Sequence, residues 1–272
     1  LFLSIALTFP YGALQTRVIG ELQRATGMEV RAADWTIGFP AAIEWRQMTL
    51  IKTDWAPLQL GLVRAQAGVW RLLTGGVALD LAAQLDETTA TQGTVKLSVM
   101  TSSWSMTGPV AMVGKIQKLD LSKVIRPYVT RGILTGEFTH RLDRAATAGS
   151  ASFGEGTWKA EAKDLSLDRI PVGNGRILAL AFSNLSLGLA CREQVCDVTE
   201  LKGDGIDGSF SGQGTVTMQQ PIQQSQLALS LTVIPGVGFA AKAPGLGIPP
   251  LPTGTPFTFK VIGTLAQARV AL

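Results

Sequence analysis

The sequence predicts an all-β protein, a strongly curved or rolled antiparallel sheet with one N-terminal amphipathic helix. Three observations carry this. After Gly27, apolar and polar residues alternate at period two through most of the chain. One parity of these runs is oily and the other wet, as in antiparallel strands with one face turned inward. Glycines and shifts of parity interrupt the runs, marking the bulges that bend a sheet round its own apolar side.

Composition is compatible with this and narrows the classes. The chain has 272 residues, enough for one large β domain or two smaller ones, and 46% are hydrophobic against 16% charged. That balance excludes a disordered chain. The net charge of +4 comes from 24 basic and 20 acidic residues with no concentrated basic run, which argues against a nucleic-acid partner.

Leu1 to Phe9 is apolar and uncharged but too short to span a bilayer, which takes roughly 20 residues. It reads as the end of an N-terminal transmembrane anchor (1–9), with a signal-segment remnant as the rival. A single β-rich body over 10–272 is expected to follow. Pro10 suits a first helical turn and Thr8 a cap. Tyr11, Leu14, Val18 and Leu22 recur at helical spacing with Ile19 beside them, and Gly27 is a natural stop. This helix, 10–26, either caps a sheet or lies at a membrane interface.

The period then becomes two. Met28, Val30 and Ala32 share one parity, while Ala33, Trp35, Ile37 and Phe39 take the other, which places a bulge or bend near Ala32. Pro40 ends the run. Ile43, Trp45 and Gln47 lead a second strand whose parity shifts at Met48 and Leu50, and Leu58, Leu60 and Leu62 read as a third in one register. Trp35, Trp45 and Trp55 are read as core or rim packing rather than a ligand platform. Val69 to Leu73 has room for one or two helical turns. Val77, Leu79, Leu81, Ala83 and Leu85 then alternate strictly on one side, with Asp80 and Gln84 among the residues on the other, and Val95, Leu97 and Val99 continue the oily side.

Leu119–Pro127 and Leu165–Pro171 resemble each other and suggest repeated strand-turn-strand units, with chance similarity as the competitor. Gly203 to Gly214 is glycine-rich but lacks the strand-to-helix context and Gly-Lys-Ser/Thr ending of a phosphate loop. Leu227, Leu229, Leu231 and Val233 form another clean alternation. Pro235 to Pro256 is dense in proline and glycine and reads as a loop without regular structure. Phe257, Phe259 and Val261 give a late strand.

Chemistry-bearing residues are few. The single histidine, His140, sits on a predicted strand, so no triad or histidine metal site assembles around it. Asp204 and Asp207 lack the spacing of a calcium loop and read as turn residues. The reading therefore assigns no catalytic, cofactor-binding or metal-ligating residues, and a non-enzymatic protein is expected. Cys191 and Cys196 are the disulfide candidate, spaced as opposing hairpin positions; two free thiols, or half of a metal site that lacks other ligands, are the alternatives. A bridge points to an oxidising compartment.

The apolar entry Phe9-Pro10-Tyr11, the helix ending in Thr26-Gly27, the strand Met28-Glu29-Val30, the turn Gly38-Phe39-Pro40 and Met48-Thr49-Leu50 resemble the start of AsmA-like proteins. The whole chain, including Gly203-Asp204-Gly205-Ile206-Asp207-Gly208, looks like the N component (GspN) family of bacterial type II secretion systems. The resemblance implies an AsmA-like groove on a single-pass inner-membrane protein with a periplasmic body. Its partners would be other secretion subunits, and its role structural or in assembly, without catalytic residues. The alternative it carries is lipid binding or transfer on the apolar face of Val77, Leu79, Leu81, Leu85, Val95, Leu97, Val99, Leu227, Leu229, Leu231 and Val233.

Overall fold

The computed structural model describes residues 11–38, 41–51, 57–85, 93–103, 108–142, 154–171, 177–219, 224–246, 252–265 and 267–271. The expected anchor 1–9, the Thr8 cap, Pro10, Phe39, Pro40, Trp55, and the stretch 247–251 of the Pro/Gly-rich segment lie outside the described residues. Among the described residues no helix is long and apolar enough to cross a membrane.

The protein is all-β. Among the described residues fourteen antiparallel strands follow one another in chain order, and the chain divides into two compact units, Leu1–Leu119 with Lys123–Arg126, and Asp120–Ser122 with Pro127–Leu272. The first unit holds helix α1 (Tyr11–Thr26), β1 (Glu29–Gly38), β2 (Ala42–Ile51), β3 (Leu58–Ala67), the short helix α2 (Val69–Leu73), β4 (Ala78–Gln84), β5 (Thr94–Thr101) and β6 (Val110–Asp120). Gly27, at φ +64, ends α1, its N–H donating to the carbonyl of Gln23 at 2.8 Å.

The core of this unit is Ile43, Trp45 and Met48 of β2, with Val30, Leu60 and Ala65, and Ile19 of α1 packs against it. These residues do not share one parity. Pairing runs Val30–Leu50 and Ala32–Met48, then resumes at Asp34–Arg46 and Trp35–Trp45, skipping Ala33 and Gln47. On the other side of β2 it skips Gln47 and Gly61, between Met48–Leu60 and Arg46–Leu62. Gln47 adopts φ +49, a left-handed conformation that breaks the pleat. Three neighbouring strands thus change parity along one line, and the bend predicted near Ala32 lies on it. Leu62 departs from its expected register: it stands opposite Arg46, and Val63, opposite Trp45, takes the core side.

The second unit comprises β7 (Val129–Leu142), β8 (Glu155–Pro171), β9 (Ile177–Arg192), β10 (Val195–Gly205), β11 (Gly208–Thr217), β12 (Gln226–Pro235), α4 (Val237–Lys242), a 3-10 turn (Ala243–Leu246), β13 (Phe257–Thr264) and β14 (Gln267–Ala271). A helical turn, α3 (Leu121–Val124), joins the last strand of the first unit to it. The faint internal repeat is not a structural one. Its first copy contains α3, whereas its second lies wholly within β8. Buried Leu121 and Leu165, one from each copy, converge on Gly132, where a Cβ would stand 3.5 and 3.0 Å from their Cδ1 atoms. The Pro/Gly-rich stretch is likewise partly regular, because α4 and the 3-10 turn form within it.

Candidate functional site

The residues expected to form an oily face fall in both units. In the first unit Leu79 and Leu81 of β4 stand opposite Val99 and Leu97 of β5, and Ala83 opposite Val95. Leu79, Leu81 and Leu85 pack against the buried cluster round Trp45. Val77 precedes β4 and is tied to Thr101, which donates its N–H to Val77 O at 2.8 Å. Leu79, Leu81 and Leu85 thus adjoin the core of this unit.

In the second unit Leu227, Leu229, Leu231 and Val233 of β12 stand opposite Val216, Gly214, Gly212 and Phe210 of β11. On their other side they meet Gly263, Val261, Phe259 and Phe257 of β13. The row continues across the unit: Val198 of β10 opposes Leu189 of β9, Leu189 opposes Trp158 of β8, and Trp158 opposes Phe138 of β7. Directly opposed residues project to the same side, so one apolar surface crosses seven strands, β7 to β13, roughly 30 Å at about 4.8 Å per strand interval. The reverse side is polar, with Thr232 and Thr258 hydroxyls 2.9 Å apart, Thr139 and Thr157 at 3.0 Å, and Ser186 donating to Glu200 at 3.1 Å.

Glycines do not perforate the apolar side, because neighbours lie over them. A Cβ on Gly203 would fall 2.3 Å from the Phe210 ring, and one on Gly212 would fall 2.4 Å from Leu231 and 2.8 Å from Leu201. Aromatic cover of a strand glycine keeps such a surface continuous. Even so, Leu187, Leu189, Leu201, Leu229, Leu231 and Val261 are only half-buried, and Trp158 is 41% exposed.

Each end of the surface is braced. At one end Phe138 and Trp158 stack at 4.5 Å and His140 meets Trp158 edge-on at 6.3 Å. Nearby Cys191 and Cys196 are bonded, 3.9 Å apart at Cα, one residue pair in from the two-residue turn Glu193–Gln194. At the other end Phe182 and Phe210 meet edge-on at 5.4 Å. There Asp207 stands in the β10–β11 turn, as a turn residue was expected to, but sequence reasoning missed its partners. Its carboxylate is 1% exposed; it takes Nζ of Lys242 on both oxygens at 2.7 Å and the N–H of Ala181 at 2.6 Å. Lys242 also donates to Ala179 O at 3.0 Å, and Gly236 and Gly238 donate to the Asp207 and Ile206 carbonyls at 3.0 Å. The pair is 35 residues apart in sequence, so no local spacing announces it.

Among the described residues no group of three or more His, Cys, Asp or Glu side chains could hold a metal ion. The Arg31 guanidinium is held above its ordinary value by its hydrogen bond to Glu29 and by that carboxylate's charge. Both side chains are exposed, so the pair contributes little. No protein-family model, curated protein or solved structure matches the chain.

Proposed function

We propose that the protein is a non-enzymatic carrier or holder of apolar chains, the acyl tails of lipids, on the oily side of the second unit. One observation carries the reading: an apolar row spanning seven strands, backed by a polar side, is left half-buried. Exposed contiguous apolar surface is unfavourable in water, and a flexible hydrocarbon chain covers it without directional bonds. The bridged cysteines suit an oxidising compartment, in keeping with a periplasmic body at the bacterial inner membrane, the setting that the AsmA-like resemblance implies. A fluorescent polyene fatty acid tests this. Its emission should rise on binding, fall on addition of phospholipid, and be largely lost in Leu229→Gln; an unchanged titration in that variant opposes the reading.

A second reading, an assembly component of a type II secretion system, rests on β1. Among the described residues β1 pairs with β2 alone, and its Trp35 and Ile37 are 42% and 54% exposed. An open edge of this kind takes an added strand from a partner. A photo-crosslinker at Thr36 should capture another secretion subunit in cells, and an absence of crosslinks there opposes it.

A further inference from the structure

The polar side of the first unit carries a hollow that neither reading uses. Glu44, Arg64, Ala82, Lys96 and Lys115 stand directly opposite one another in a row across β2 to β6. A cavity of about 330 Å³ opens over this row, lined among others by Arg64, Asp80, Lys96, Ser98 and Lys115. Ala82 ends at Cβ and leaves the space between Arg64 and Lys96 unfilled. Like charges directly opposed on neighbouring strands are destabilising, with Cβ atoms about 5 Å apart, yet Lys96 faces Lys115. Among the described residues neither lysine makes an ion pair. Arg64 is committed on two nitrogens, Nη1 to Glu44 at 3.2 Å and Nη2 donating to Gln66 at 3.0 Å, while its Nε is buried without a partner. Two carboxylates, Glu44 and Asp80, stand against three cations, which leaves the hollow positive.

We infer that this hollow binds a phosphate-type anion, whose oxygens would accept from the Lys96 and Lys115 ammonium groups and relieve their repulsion. The volume admits a small anion or a lipid headgroup rather than a polymer. The inference is independent of the apolar surface on the second unit. It is tested on the whole chain with pyrophosphate as the free-anion probe, and with vesicles of phosphatidylglycerol in phosphatidylcholine against phosphatidylcholine alone as the headgroup probe. Binding of pyrophosphate, or an excess of binding to the phosphatidylglycerol vesicles, should weaken about tenfold or more in a Lys96→Gln/Lys115→Gln double variant and fall with added salt. The double variant should fold, and in phosphate-free buffer melt no lower than the parent, because a repulsive pair is gone. Neither probe binding, or either binding equally well to the double variant, overturns the inference.

Discussion

At the scale of single residues, conformation and packing decide more than polarity does. Gln47 is exposed and held at φ +49, where a side chain brings strain and glycine does not. Gln47→Gly should therefore be neutral or stabilising by up to about 1 kcal/mol, whereas β-branched Gln47→Val should destabilise by about 1 to 2 kcal/mol, read from urea midpoints. Trp45 is fully buried at the centre of the first unit. Trp45→Ala should cost about 3 to 5 kcal/mol through the cavity it leaves. Gly203→Val should displace the Phe210 ring and cost about 1 to 3 kcal/mol. The parity change at Ala32 and Met48 was legible because apolar residues mark both halves of each strand. Leu62 was misplaced because leucine stands on either side of Gly61, and nothing in the spelling Leu-Gly-Leu-Val says which one faces in.

At the scale of elements, hairpins were readable and long-range ties were not. The cysteines sit one pair in from a two-residue turn, so their opposition is a local consequence of spacing. Closing so short a loop contributes about 2 kcal/mol in the chain-entropy account, and Cys191→Ser/Cys196→Ser should lose about that much. α4 escaped notice because proline and glycine outweigh helical spacing over so short a segment. Its place is set by Asp207, whose burial is tolerable only with Lys242 and the Ala181 N–H. Lys242→Met should destabilise by about 1 to 3 kcal/mol, below the range for a fully buried pair, since Lys242 is 38% exposed. Hydrogen exchange should show 236–246 opening first in that variant.

At the scale of the whole molecule, alternation was enough to predict an all-β chain because every strand pairs locally, and no distant pairing had to be guessed. Period two cannot say whether an oily side is covered, since a filled core and an open surface share one pattern.

The central claim is that acyl chains cover that surface, and native mass spectrometry of the chain, made in a periplasm and purified without detergent, tests it most directly. The account predicts adducts with phospholipid masses, present in the parent and in Leu79→Gln, whose site belongs to the core of the first unit, and lost in Leu229→Gln with the fold retained. A bare mass for the parent, or adducts that survive Leu229→Gln undiminished, would contradict it.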